Sequence, residues 1–128
     1  MCTEAQFSRI IKEMVTCYRS VYGKDIVEIV LYGSYARGDY SRESDIDLVA
    51  VVQGSRLELQ KKLKTVWDTS AEIGLKNDIV VSPTVIPYDE YVKYKETLPY
   101  YRSIAEEGHK IGFFKACRGN FLFSKGIY

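Results

Sequence analysis

Two aspartates separated by one residue, Asp45 and Asp47, are the side chains of this chain best suited to chemistry. Side chains alternate across a β-strand, so both carboxylates point to one face, with their Cα atoms roughly 7 Å apart. Val49 and Val51 continue that face, which indicates that the acids stand at the mouth of a buried strand. Two such carboxylates repel each other unless a cation is present, and oxygen-only ligands favour Mg²⁺ or Mn²⁺. A pair of exposed acids that solvates a strand end is the alternative.

A glycine–serine dipeptide, Gly33-Ser34, lies twelve residues before Asp45. Glycine lets the backbone approach a ligand closely. Amides at the start of a following helical turn favour an anion, and the Ser34 hydroxyl can donate to a phosphate oxygen. By itself the dipeptide is more often a plain strand-to-helix turn, and its placement before the acid pair is what favours a phosphate site.

The elements that carry these residues must bring them together. A strand that ends in Gly33-Ser34 and a strand that begins with the acids serve one site only if they run antiparallel. The long helix after the second strand predicts a crossover connection, so that the second and third strands are parallel. Asp78 would then lie beside the acid pair and complete the metal site or accept a proton, although Asn77-Asp78 also suits a simple turn. The predicted strands are Ile26–Tyr32, Asp45–Val52 and Asp78–Ser82.

Apolar residues at three- and four-residue steps predict helices around these strands. Thr3 is suited to begin the first helix and Gly23 to end it, and Ser55 and Gly74 bound the second long helix. The fold class is therefore mixed α/β (α+β), a single domain with a small mixed sheet flanked by α-helices. The predicted helical segments are residues 3–22, a turn at 35–39, residues 55–74, 88–97 and 101–107.

Composition removes several classes of protein. A chain of 128 residues with 46% hydrophobic side chains suits one compact domain. Its 18 Lys and Arg residues nearly balance 17 Asp and Glu residues, which argues against bulk binding of nucleic acid. The single histidine, His109, excludes multi-histidine metal sites. If the chain is an enzyme, its chemistry rests on carboxylates.

The cysteines and apolar runs indicate the compartment. Cys2, Cys17 and Cys117 are an odd number without zinc-like spacing and indicate free thiols in a reducing compartment. The longest apolar run, Leu48–Val52, is far too short to span a membrane. We therefore expect a soluble cytoplasmic protein without a membrane partner.

The last twenty residues differ from the rest. Residues 1–108 carry 14 basic and 17 acidic side chains, net −3, whereas residues 109–128 carry four basic and no acidic ones. A closing hairpin or docked extension around Arg118-Gly119-Asn120 is the favoured interpretation. A contact with a partner or a nucleotide is the alternative.

The run Gly33-Ser34-x-Ala36-Arg37-Gly38, followed after five residues by Ser44-Asp45-Ile46-Asp47-Leu48, resembles the signature of the DNA polymerase β-like nucleotidyltransferase superfamily. The match is closest to the small, single-domain minimal nucleotidyltransferases. It extends to Gly108, so the nucleotidyltransferase domain is placed at residues 1–112 and an aromatic, basic extension at 113–128.

The resemblance implies transfer of a nucleoside monophosphate, with ATP as the expected donor and two Mg²⁺ ions, or Mn²⁺, as cofactors. It implies that Asp45, Asp47 and Asp78 are the catalytic metal ligands and that Gly33 and Ser34 hold the triphosphate. Arg37 either steadies phosphate charge or pairs with an acid such as Asp39. Ser44 is expected to support the loop.

The resemblance also suggests an acceptor. Minimal nucleotidyltransferases resemble antitoxins that transfer AMP to a tyrosine of a HEPN-domain toxin, and larger relatives carry an acceptor domain for which this chain has no room. Transfer to a small molecule with a second subunit is one alternative, and a homo-oligomer is compatible with the sequence. A non-catalytic module that neutralises its partner by contact is another.

Overall fold

The computed structural model describes residues 3–41 and 43–113. They form three layers, with helices on both faces of a four-stranded sheet. The helices are α1 (Glu4–Tyr22), α2 (Ser34–Arg37), α3 (Arg56–Asn77), α4 (Tyr88–Tyr94) and α5 (Pro99–Glu107), and the strands are β1 (Ile26–Tyr32), β2 (Ile46–Val52), β3 (Val81–Pro87) and β4 (His109–Phe113).

The sheet has the order β3-β2-β1-β4. β1 pairs antiparallel with β2 and places Tyr32 opposite Asp47. β2 pairs parallel with β3 and places Asp47 beside Ser82. The predicted fold class is confirmed, with antiparallel first and second strands and a parallel third strand reached through α3.

Each face of the sheet has its own apolar core. Ile46, Leu48, Ala50 and Val52 of β2 pack into a large core with α1 and α3. The alternate residues Val49 and Val51 belong to a smaller core with Tyr91 of α4 and with Tyr101 and Ile104 of α5. The acid pair therefore opens on the α4–α5 side of the sheet, because Asp47 shares the face of Val49 and Val51.

The first helix forms as its end signals predict. The Thr3 hydroxyl accepts from the Gln6 amide, and the Gln6 side chain accepts in return from the Thr3 amide, which is a capping box. Gly23 ends the helix with φ 58°. Cys17 on this helix is a buried free thiol, and burial raises its pKa, so it behaves as a packed side chain. Cys2 and Cys117 lie outside the described residues.

The region from Gly74 to Pro87 differs from the prediction. The helix α3 passes Gly74 and ends at Asn77, with Asp78 as its left-handed cap at φ 55°. Gly74 instead lets the returning chain approach, because a Cβ there would lie 2.5 Å from the carbonyl oxygen of Ile79. The strand β3 begins three residues later than predicted and runs through Pro83, which an edge strand tolerates because one side of it needs no ladder hydrogen bond.

Shorter differences lie nearer the C-terminus. Helix α5 begins at Pro99, two residues before the predicted start, since proline suits a first helical turn. The strand β4, which the pattern did not predict, pairs with β1 and crosses the expected boundary at residue 112. The expected hairpin around Arg118-Gly119-Asn120 lies outside the described residues. No helix in the described ranges is long and apolar enough to cross a membrane.

Candidate active site

The acid pair lies at the start of β2. Asp45 is exposed immediately before the strand, and Asp47, its second residue, is half-buried. Val49 and Val51, further along the same face, are buried under α4 and α5. The expected change from carboxylates to a buried apolar face along one strand is therefore present in the structure.

Gly33 places the turn after β1 directly against Asp47. It is buried, it has φ 79°, and a Cβ added to it would overlap the Oδ2 atom of Asp47. Ser34 then begins the single turn of α2, in which the amides of Ala36 and Arg37 donate to the Gly33 carbonyl at 3.0 and 3.1 Å. The glycine–serine turn and the acid pair thus share one small region of surface.

The electrostatics of Asp47 are those of a carboxylate that lacks sufficient counter-charge. Burial raises the pKa of Asp47, the negative charge of Asp45 raises it further, and the positive charge of Arg37 lowers it. A cation between the two carboxylates would oppose the first two effects. The site therefore favours the binding of positive charge.

Arg37 takes part in two surface ion pairs. Its Nε lies 3.3 Å from the Asp39 carboxylate and its guanidinium lies 3.8 Å from Glu107 at the end of α5. Its side chain is 45% exposed, so these pairs are weak and can be exchanged for other anions. Pairing with Asp39, one of the two alternatives from sequence, is present in the structure, and a phosphate contact remains a prediction.

Ser44 supports the loop before the acid pair. Its hydroxyl accepts from the Ser41 amide at 2.8 Å, and its own amide donates to the Ser41 carbonyl at 3.1 Å. These local bonds fix the entry of the chain into β2 and confirm the structural role expected for Ser44.

Asp78 does not lie where the sequence placed it. It caps α3, three residues before β3 begins, and lines a groove with Trp67, Leu75 and Val80. Residues 3–41 and 43–113 contain no group of three His, Cys, Asp or Glu side chains that could hold a metal ion. The predicted convergence of three carboxylates is therefore wrong. Residues 78–80 connect the end of α3 to β3 and are not part of the strand.

Polar residues of β3 and α5 occupy the side of Asp47 where a third acid was expected. Ser82 is the parallel-strand neighbour of Asp47, and Thr84 follows it on the same face. Tyr100, in the first turn of α5, is hydrogen-bonded to the Thr84 side chain and meets the Tyr32 ring edge-on at 6.0 Å. The sequence pattern did not single out Tyr100, because only the packing of α5 on the sheet brings it here.

The residues present suit a divalent cation. Asp45 and Asp47 offer hard oxygen donors, and burial followed by the charge of Asp45 raises the pKa of Asp47. The absence of a side chain at Gly33 keeps the space beside the Asp47 carboxylate open. Among the described residues, no third His, Cys, Asp or Glu side chain joins the pair in a group that could hold a metal ion.

Comparison with known proteins identifies the class. Residues 7–111 match the nucleotidyltransferase domain family. The matched segment includes β1, α2, β2 and both acids of the pair. The chain belongs to that family, and it is a nucleotidyltransferase.

Individual relatives agree with this assignment. The chain is 34% identical over 100 residues to an archaeal protein named "Putative protein adenylyltransferase MJ0604" from Methanocaldococcus jannaschii, covering 78% of this chain and 92% of that one. MJ0141 of the same organism carries the same description and is 32% identical over 89 residues, covering 70% and 80% of the two chains. A solved structure from Sulfolobus solfataricus, titled as a nucleotidyltransferase, shares the fold with a TM-score of 0.53 at 18% identity, covering 86% of this chain and 83% of that one.

Proposed function

We propose that this nucleotidyltransferase transfers AMP from ATP to a tyrosine hydroxyl of a protein partner, with Mg²⁺ as its cofactor. The single observation that carries the proposal is the contact between the Gly33-Ser34 turn and the Asp47 carboxylate. That contact places a turn suited to phosphate beside a carboxylate suited to a cation. A metal-bound nucleoside triphosphate needs both at one point.

Each residue of the site has a defined task in this reaction. Asp45 and Asp47 would hold Mg²⁺, or Mn²⁺ in its place, and the bound metal supplies charge neutralisation for the triphosphate and the attacking hydroxyl. The Gly33 backbone admits the triphosphate, and the Ser34 hydroxyl donates to one of its oxygens. Arg37 leaves its exposed pairs with Asp39 and Glu107 and adds positive charge beside the phosphates.

The chemistry is an in-line displacement at the α-phosphorus. The tyrosyl oxygen forms a bond to that phosphorus, the bond to the bridging oxygen breaks, and pyrophosphate leaves with its electron pair. The phenolic proton is released to water. Asp78 has no part in this step, because α3 holds it away from the acid pair.

The acceptor is proposed from the relatives. Two of them carry names that make a protein the acceptor of the adenylyl group. The resemblance to minimal nucleotidyltransferases supports a tyrosine of a HEPN-type toxin, so that the protein acts as a cytoplasmic antitoxin. Tyrosine is chemically suited to this role, since its hydroxyl forms a stable phosphodiester with AMP.

Transfer of label tests the proposal. The protein is incubated with Mg²⁺, ATP labelled in its α-phosphate and a purified HEPN-domain protein. We expect magnesium-dependent label on a partner tyrosine, and no label when Asp45→Asn or Asp47→Asn replaces the wild type. Asp68→Asn, an exposed acid on α3, is the matched control and should label normally.

The outcomes separate the rival functions. Neutralisation of the partner by both Asn variants without any label would establish a binding module and contradict transfer. Magnesium-dependent release of pyrophosphate with small hydroxyl compounds, but not with a protein, would establish a small-molecule acceptor instead.

A further inference from the structure

Tyr100 stands over the acid site of its own chain. The sheet order places Asp47 on β2 between Tyr32 on β1 and Ser82 on β3. Tyr100 lies near both flanking strands, because its ring meets Tyr32 at 6.0 Å and its hydroxyl lies close enough to the Thr84 side chain for that side chain to lower its pKa. The phenol therefore bridges across the strand that carries the carboxylate.

Tyr100 is partly exposed, and its hydroxyl is influenced by the charge of Asp47. Tyr100 as a whole is 46% exposed. Burial nevertheless raises the pKa of its hydroxyl, and the charge of Asp47 contributes to the same rise, so the oxygen lies within electrostatic reach of that carboxylate.

We propose that Tyr100 is an adenylylation site of this protein, modified by the chain's own active site. The inference rests on the proposed function, because it needs a site that transfers AMP to tyrosine. The Oη atom of Tyr100 forms a bond to the α-phosphorus of ATP, the bond to the bridging oxygen breaks, pyrophosphate leaves, and the phenolic proton is released to water.

Other tyrosines near the site are less suited. Tyr40, the other exposed tyrosine of the described ranges, has its ring stacked on Tyr35 at 4.4 Å. Tyr101 follows Tyr100 directly, but its hydroxyl donates to Glu90 and accepts from Arg56 at 3.2 and 3.1 Å. Among these three, Tyr100 alone combines an exposed ring with the electrostatic influence of Asp47.

Self-modification has a consequence for the reaction with a partner. An adenylyl group on Tyr100 would occupy the surface through which an external hydroxyl must reach the α-phosphorus. The modified protein should therefore transfer AMP to its partner more slowly than the unmodified one, and the Tyr100→Phe variant should escape this inhibition.

Peptide mapping tests the proposal on the full chain. The protein is incubated with Mg²⁺ and ATP labelled in its α-phosphate, and the label is located by mass spectrometry. We expect one adenylyl group on the peptide that contains Tyr100, and none in Tyr100→Phe. Tyr101→Phe is the matched control on the same helix and should keep the label. Label that persists in Tyr100→Phe, or that maps to another residue, overturns the proposal.

A second readout needs no turnover. An ATP analogue with a methylene group between its α- and β-phosphorus atoms binds without transfer, and tetranitromethane nitrates accessible phenols. We expect the analogue with Mg²⁺ to shield Tyr100 from nitration in the wild type. Equal nitration of Tyr100 with and without bound analogue would contradict a position beside the α-phosphate.

Measurement of ATP binding distinguishes failure of the self-modification proposal from failure of the proposed function. Wild-type protein that binds ATP with Mg²⁺ and labels a partner, but never itself, would overturn self-modification and leave the proposed function in place. Wild-type protein without magnesium-dependent ATP binding would overturn both. A Tyr100→Phe variant that loses ATP affinity by much more than about twofold would make Tyr100 a nucleotide contact and not an acceptor.

Discussion

Gly33 lies so close to Asp47 that a side chain on the glycine would overlap the Asp47 carboxylate. Gly33 directly follows β1, and Tyr32, the last residue of β1, pairs with Asp47 on the antiparallel strand β2. The turn that we propose to bind phosphate and the carboxylate that we propose to bind metal are thereby held together by sheet register. The fold, rather than a flexible loop, sets their separation.

The short distance between Gly33 and Asp47 predicts that two glycine substitutions have unequal effects on ATP binding. Gly33→Ala and Gly38→Ala both place a side chain at positive φ, 79° and 87°. Gly38 is left-handed at ψ 3°, whereas Gly33 at ψ −156° lies in a region that is essentially restricted to glycine, so each substitution costs about 1–3 kcal/mol of folding stability and Gly33→Ala costs more. Only the Cβ at position 33 meets a neighbour, and it displaces the Asp47 carboxylate. We expect Gly33→Ala to abolish magnesium-dependent ATP binding and Gly38→Ala to keep it, as measured by titration calorimetry. Equal loss in the two variants would mean that backbone strain, and not the contact with Asp47, matters.

A second prediction concerns stability and pH. Burial, and then the charge of Asp45, raises the pKa of Asp47, so ionised Asp47 destabilises the folded chain. In the absence of metal we expect Asp47→Asn to raise the free energy of unfolding at pH 7. This gain in stability should vanish well below the unfolded-state pKa of about 3.9, because Asp47 is then protonated in both the folded and the unfolded chain. Urea denaturation at the two pH values measures it.

The control for this prediction is an exposed acid. Asp68→Asn on α3 removes a carboxylate outside the site and should change stability little at either pH. A destabilised Asp47→Asn variant at pH 7 would show that the carboxylate makes stabilising contacts, contrary to a site that is short of positive charge.

A third prediction decides between the two interpretations of Arg37. Its ion pairs with Asp39 and Glu107 are exposed, so Arg37→Ala should lower the melting temperature very little. If Arg37 turns to the triphosphate, the same variant should raise the Kd for ATP about tenfold, which corresponds to one hydrogen bond to a charged group. Unchanged ATP affinity would restrict Arg37 to surface pairing.

A fourth prediction concerns the support of β3. The buried Tyr18 hydroxyl donates to the Thr84 carbonyl at 2.9 Å and accepts from the Thr84 amide at 3.1 Å. Tyr18→Phe leaves both backbone groups without this partner and should cost about 1–3 kcal/mol in chemical denaturation. Tyr22→Phe, which loses one bond to the Leu59 carbonyl at 2.7 Å, is the matched control and should cost less. Equal costs would show that Thr84 finds other partners.

The central strands and the acid pair could be predicted because local signals determine them. The strand Ile26–Tyr32 has the predicted bounds, and the alternation around Asp47 gives the correct face. The antiparallel pairing followed from the need to join the glycine–serine turn to the acids. These features depend on residue period and short-range geometry, both of which the sequence displays.

The features that could not be predicted from the sequence depend on packing between segments that are distant along the chain. The approach of Ile79 to Gly74 decides how α3 ends, and this moved Asp78 away from the site. In the sequence, Pro83 indicates the end of a strand. Only the sheet order shows that β3 is an edge strand, in which a proline is tolerated. Tyr100 reaches the site only because α5 packs over β1 and β3. No short-range pattern contains this information.

The central claim is that the Gly33-Ser34 turn and the Asp45–Asp47 pair form one magnesium–nucleotide site, and titration calorimetry with ATP tests it most directly. The wild type should bind ATP with Mg²⁺ and bind it far more weakly when EDTA removes the metal. Asp47→Asn should lose this magnesium dependence although it remains folded. Equal ATP affinity with and without Mg²⁺, or an Asp47→Asn variant that binds like the wild type, would contradict the account.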